Sequence, residues 1–331
     1  MIELLPSDDQ QHILDGAQAL LCAVAPLERF RSTLTGDPFS DEGWSDLIQF
    51  GWFTVGIAQP QGGLGLGVVE EMLLFREAGR FLLPVAVLAT SLAAHVAASA
   101  ADTPLVGAFA DGTARAGFAV EQDGAWLLID CAGTTHVLAL GADGICLLEA
   151  GAFTDRAPVN ALDEHSTLER ATLIAPLAST IPDNTALLRR MRILTAAMLV
   201  GCADGSLRLA VDHAKVREQF GRPIGAFQAV KHHCANMSVA METASAQVAL
   251  AALSESEAAP GAGFHVLSAA LAALRAAQNN GAVAIQVHGG MGFTWDAQPH
   301  RYLKRTQLLT QLLGGRRHIE RALLAERRVH H

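Results

Sequence analysis

The feature that most constrains this 331-residue chain is a double change of rhythm. From Asp8 to about Ala101, apolar residues recur three and four apart, as in "QHILDGAQALLCAVAPLERF" and "GWSDLIQFGW", the spacing of amphipathic helices. From Thr103 to about Ile174 the texture turns to short β-rich runs ("GFAV", "AWLLID", "HVLAL", "GICLLEA") parted by Asp-Gly and Gly-Thr turns. "TIPDNTALL" then reopens helical spacing, with Asp183 or Asn184 as N-cap, and long helical runs continue to the C-terminus. Glycine-rich stretches at Ala58–Gly67 and Pro260–Gly263, and in "VHGGMGF", punctuate the helices. The expected fold is mainly α with a small central β domain. It comprises an N-terminal helical domain over 1–102, a small antiparallel β domain over 103–178, and a C-terminal four-helix bundle over 179–331.

Composition narrows the function classes. Half the residues are hydrophobic and 17% are charged, which provides a large core and excludes disorder. The net charge is −9 with no long run of Lys or Arg, which argues against nucleic acid and anionic lipid as partners. The local cluster Arg189-Arg190 with Arg192 reads as a solvated helix face. Cys22, Cys131, Cys146, Cys202 and Cys234 are scattered without a C-x-x-C, the pattern of reduced, mostly buried thiols in a cytoplasmic protein. "MIELLPSDDQQ" lacks the basic region and apolar core of a signal peptide. Phe81–Ala101 is long enough to span a bilayer, but Pro84, His95 and its many alanines make a buried helix the better reading.

Several familiar chemistries lack their residues. "GGLGLG" has the wrong spacing for a dinucleotide loop and follows Gln59-Pro60-Gln61 rather than a strand. His232-His233 are adjacent, so on a helix they point about 100° apart and cannot grip one metal as an i, i+4 pair would. No H-E-x-x-H, G-x-S-x-G or Walker loop occurs. Two stretches remain: "VREQFGRPIGAFQAVKH", Val216 to His232, and "QVHGGMGF", Gln286 to Phe293. Either is explained as a helix end with its glycine cap. Together they offer a guanidinium, an aromatic face, a side-chain amide and glycine amides, the groups that a pyrophosphate and an adenine require.

These two stretches, the second continuing as "TWDAQPHRYLKR", resemble the C-terminal domain of the acyl-CoA dehydrogenase family. "GWFTVGIAQPQGGLGLGVVEEMLLFREAGR" resembles that family's N-terminal glycine turn, so the likeness runs along nearly the whole chain. The resemblance implies FAD as cofactor, an acyl-CoA thioester as substrate, and an electron-transfer flavoprotein or similar acceptor. It places Arg217 and Phe220 at the FAD pyrophosphate and adenine, with Gln228, Gln286, Gly289 and Gly290 beside them. In the family these groups reach across a dimer interface to a flavin seated mainly in the neighbouring subunit.

The chain departs from the family at its base. The reaction removes the α-proton of the thioester with a carboxylate while a hydride leaves the β-carbon, and the acceptor must be held over the substrate. The two family seats for that Glu correspond to Leu313 and Met191, both apolar. Asp296 and Glu242 are the nearest spare carboxylates by sequence. The family's "TEPxxGSD" stretch is also missing, with Thr113 and Thr134-Thr135 as loose substitutes. The leading expectation is therefore one subunit of an α2β2 acyl-CoA dehydrogenase whose partner carries the Glu. A homo-oligomeric enzyme with a relocated base, and a flavin-free structural protein on the same fold, are the alternatives.

Overall fold

The computed structural model describes residues 4–31, 39–122, 124–141, 144–174 and 184–326. Five helices come first: α1 (Asp8–Val24), α2 (Asp41–Phe50), α3 (Val68–Arg80), α4 (Val85–Ser99) and α5 (Thr103–Ala110). Six strands follow: β1 (Ala116–Gln122), β2 (Ala125–Ile129), β3 (His136–Gly141), β4 (Gly144–Glu149), β5 (Phe153–Val159) and β6 (Leu168–Leu173). The rest is α6 (Thr185–Val216), a small hairpin of β7 (Glu218–Gln219) and β8 (Arg222–Pro223), then α7 (Gln228–Ser256), α8 (Ala262–His288), α9 (Pro299–Leu312) and α10 (Arg316–Ala325). The helix–sheet–helix order and the C-terminal bundle are those expected. Asn184 holds the N-cap position of α6, where its carbonyl accepts from Leu188 N at 2.9 Å; Asp183 lies outside the described residues.

Two compact units make up the chain: one from Met1–Leu21, Met72–Leu82 and Arg192–His331, the other from Cys22–Glu71 and Leu83–Met191. In the second unit the sheet order is β4-β3-β1-β2-β6-β5. The sheet is mixed, which corrects the expected antiparallel domain. β1 and β2 form the anticipated hairpin, Phe118 opposite Ile129, but β1 and β3 run parallel, Ala116 beside His136. The reason is connectivity. β2 takes one edge of β1 and pairs onward with β6, so the chain turns at Gly133 and carries β3 to the other edge of β1. Of the two hairpin Asp-Gly pairs, Gly124 and Gly144 have positive φ, while Asp123 and Asp143 fall outside the described residues.

α4 is buried along every residue from Val85 to Ala98, as an apolar-all-round helix must be. It belongs to the core, as its alanines, proline and histidine suggested. α6 alone among the described helices is long and apolar enough to cross a membrane, and 78% of that window is buried in the fold. Cys131, Cys146 and Cys202 are buried and Cys234 half-buried, whereas Cys22 is exposed.

One polar cluster in this unit was not foreseen. Glu71 is fully buried; one carboxylate oxygen meets His95 Nε2 at 2.6 Å and the other pairs with the Arg190 guanidinium. A Cβ on Gly56 would lie 2.4 Å from the Glu71 carboxyl carbon, so only glycine allows the backbone this close. Arg190 is therefore a half-buried ion-pair partner and not part of a solvated face. Burial alone pushes the Glu71 carboxyl upward, but attraction and hydrogen bonding from His95 and Arg190 outweigh it and hold it below 4.5.

In the first unit α6, α7 and α8 are fixed by a single amide. The buried Asn280 donates to Ala203 O at 3.2 Å and to Met237 O at 3.0 Å, tying three helices together. Tyr302 of α9 donates to Arg80 O at 2.6 Å. α6 and α3 touch backbone to backbone: a Cβ on Gly201 would lie 2.0 Å from Arg76 O. Gly201→Ala is expected to cost about 1–3 kcal/mol through overpacking, despite alanine's better helix propensity. Thermal denaturation decides it: a melting temperature equal to wild type would mean that the two helices separate freely.

Candidate functional site

α6 ends at Val216 because the next residues leave the helix for a two-residue hairpin. Arg217 N still donates to His213 O at 2.9 Å, and Arg217 O accepts from Ile224 N at 2.8 Å, closing the loop on itself. Glu218 pairs with Pro223 and Gln219 with Arg222. The two turn residues, Phe220 (φ 53°) and Gly221 (φ 77°), are both left-handed, as a type I′ turn requires. Gly221 takes this shape without strain. Phe220 does not, since a non-glycine residue held there costs about 1–3 kcal/mol. Asn or Asp would suit the turn better, yet the residue is a phenylalanine that is 92% exposed.

Neighbouring aromatics hold the hairpin. Phe227 meets the Phe220 ring edge-on at 6.1 Å, and the Arg222 guanidinium lies over Phe227 at 4.3 Å. Gln228 then opens α7 as an exposed residue. At the end of α8, Gln286 is exposed and its carbonyl accepts from Gly289 N. Gly289 has φ 62° and ψ −143°, a conformation essentially reserved for glycine. A Cβ on Gly289 or Gly290 would meet nothing within 4 Å, so this backbone faces open space.

The stretches around residues 217 and 289 are brought together by two histidines. His213, one turn before Arg217, stacks on His288 with ring centroids 4.2 Å apart and planes 20° from parallel. His288 Nδ1 is 2.8 Å from Ala284 O, which orients its ring. Burial, then His288 and Arg217, lower the pKa of His213; burial also lowers that of His288, against the opposing hydrogen bond. The stack is thus neutral at pH 7. The six residues expected at a cofactor, Arg217, Phe220, Gln228, Gln286, Gly289 and Gly290, sit at linked ends of α6, α7 and α8.

The expected catalytic positions differ in burial. Leu313 is buried where α9 closes, and Met191 is buried within α6 in the other unit. Glu242 lies exposed on α7 and Asp296 exposed in the turn before α9. Water solvates both carboxylates. The threonine substitutes are occupied locally: Thr113 Oγ1 bonds Asp111 at 2.7 Å, Thr134 Oγ1 donates to Cys131 O, and Thr135 Oγ1 to Arg115 O. Among the described residues no group of three His, Cys, Asp or Glu gathers to hold a metal. Sequence reasoning also missed the histidine stack, whose members stand 75 positions apart, and no local pattern pairs them.

Residues 7–103 match the family model described as acyl-CoA dehydrogenase, N-terminal domain, and residues 183–329 match acyl-CoA dehydrogenase, C-terminal domain. Acyl-CoA dehydrogenase IpdE2 of Mycobacterium tuberculosis is 30% identical over 98% of this chain and 98% of its own length. Among solved structures, the Tcur3481-Tcur3483 steroid ACAD G363A variant superposes with a TM-score of 0.84 at 24% identity, covering 96% of this chain and 97% of that one. The ChsE4-ChsE5 complex from Mycobacterium tuberculosis gives 0.82 at 22% identity, covering 99% of this chain and 100% of the other.

Proposed function

We propose that this chain, which belongs to the acyl-CoA dehydrogenase family, is one subunit of a hetero-oligomeric, FAD-dependent acyl-CoA dehydrogenase. It supplies diphosphate and adenine contacts to a flavin seated in a partner subunit, and the partner supplies the carboxylate base. One observation carries the reading: Phe220 is held in water at a strained left-handed φ three residues after Arg217. Strain of this kind persists where the surrounding structure over-determines it and the residue has a use.

The residues present fit FAD. Arg217 offers a planar fork for two phosphate oxygens, Phe220 an open ring face, and Gly289 and Gly290 a backbone that a phosphate can approach without meeting a side chain. When bound, FAD supplies the hydride acceptor for the substrate β-carbon. Arg217 binds and orients the diphosphate, and the His213–His288 stack ties its end of α6 to the glycine end of α8. The α-proton needs a carboxylate held in a dry site. Leu313 and Met191 cannot accept it, and Glu242 and Asp296 are exposed. A partner's carboxylate fills that role in this reading.

Two structural neighbours are consistent with it: one is the ChsE4-ChsE5 complex of two proteins, the other a steroid ACAD named by the pair Tcur3481-Tcur3483. By that analogy the substrate class is a bulky, sterol-derived acyl-CoA; the family resemblance adds an electron-transfer flavoprotein or similar acceptor, and the scattered thiols suit a cytoplasmic assembly. The test is an FAD titration of the assembled apo complex. Arg217→Ala is expected to lose about 1.5–3 kcal/mol of FAD affinity, because a charge-assisted contact is removed. Arg217→Lys recovers only part, since the fork becomes a point charge. Unchanged affinity in the alanine variant would reduce the stretch to a helix end. A stable one-to-one flavin complex of this chain alone, active on an acyl-CoA, would sink the two-subunit reading.

A further inference from the structure

Beneath the hairpin, on a side used by none of the six expected cofactor residues, lies a cleft of about 420 Å³. α6 supplies Val211, Ala214 and Lys215, the foot of the hairpin supplies Pro223 and Gly225, and α7 supplies Val230, Lys231 and Cys234. Gly225 is required for its shape: a Cβ there would lie 2.9 Å from Ala214 O, so a larger residue would push the hairpin foot off α6. The volume falls within the range of small-molecule sites.

The chemistry of the walls is one-sided. Val211, Ala214, Pro223 and Val230 make an apolar trough, and Lys215 and Lys231 stand exposed at its rim. Neither lysine has a carboxylate partner among the described residues, and no acidic side chain lines the cleft, although the chain as a whole carries −9. No arginine lines the cleft, so the planar fork that favours bidentate phosphate recognition is missing. Two ammonium groups over an aliphatic trough instead match a carboxylate with an apolar tail.

We propose that this cleft binds an amphipathic aliphatic carboxylate, its chain along Val211, Ala214 and Val230 and its head group between Lys215 and Lys231. Because Pro223 and Gly225 form one wall, and Ile224 between them donates to Arg217 O, an occupant braces the hairpin that carries Arg217 and Phe220. The site stands apart from the flavin reading, since it requires neither FAD nor a second subunit.

Cys234 provides a reporter inside the cleft, and the exposed Cys22 an internal control. Alkylation of both thiols by a maleimide is followed by peptide mass mapping of the full chain, with decanoate as the probe and decylamine as the charge-reversed control. Decanoate is expected to slow labelling of Cys234 saturably and to leave Cys22 untouched, while decylamine protects neither. The double variant Lys215→Gln/Lys231→Gln, at two exposed positions, is expected to weaken the protection about tenfold, the loss of one or two solvent-exposed charge contacts. Arg217→Ala is expected to leave protection intact, which separates this site from the flavin contacts. Three results would each overturn it: no protection by decanoate, equal protection by decylamine, or undiminished protection in the double variant.

Discussion

Replacement of Glu71 by alanine is expected to lower stability by about 3–5 kcal/mol, the loss typical when one member of a buried ion pair is removed. Arg190 would lose its counter-charge and His95 its hydrogen-bond partner, and the Arg190 side chain, 23% exposed, recovers part of its share from water. Glu71→Gln should lose less, because the amide keeps the shape and one acceptor. The unit that holds the cluster contains Trp44, Trp52 and Trp126, so tryptophan emission during urea unfolding reports on it. The pH dependence has a definite sign. The folded-state pKa of Glu71 is depressed, so its stabilisation is complete above the unfolded value near 4.5 and is lost as pH falls through the lower folded value. Wild type should lose stability below that point by a margin that Glu71→Ala does not show. A deficit under about 1 kcal/mol at pH 7 would mean that the cluster is as weak as a surface pair.

Placing a carboxylate at Leu313 is expected to have the second large effect, and in two readouts. Leu313 is 4% exposed at the close of α9. Losing a buried leucine costs about 2–5 kcal/mol before the new charge is counted. The glutamate must also shed water, which raises its pKa and adds to the loss. Leu313→Glu should therefore melt well below wild type. It should also fail to reduce a dye with a panel of acyl-CoA thioesters and added FAD when tested as the isolated chain. A general base contributes about 10²–10⁴-fold, and only on a substrate already aligned. Turnover appearing in the variant alone would show that the chain seats its own flavin and has lost only the acid. Turnover by the unaltered chain would return Asp296 or Glu242 to the role of base.

What could be read from the residues depended on the range of the interactions. The helix at Val85–Ser99, the helix break after Arg217 and the glycine end of α8 were legible because their signals are local: apolar density, a breaker pair, a cap. The two-residue hairpin that fills the break was not. The parallel β1–β3 pair was not, since runs of β-rich residues carry no mark of which edge they join. The Glu71 cluster escaped because its partners lie 24 and 119 positions away. A faint sign existed: Glu71 shares the helical face of Val68, Met72 and Phe75, all buried, where a lone carboxylate demands a counter-charge. The cleft left no sign at all, because Val211, Ala214 and Val230 are spaced as any core residues are.

The rings displayed around residues 220 and 293 also bear on how the chain can be handled. Phe220, Phe293 and Trp295 all stand more than half exposed in the same unit, leaving three large rings in water. Their cost is not paid within the fold; in the proposed two-subunit assembly it becomes a ceiling on solubility set by how much of this chain is made relative to its partner. On that proposal, yield is a question of stoichiometry before it is one of stability.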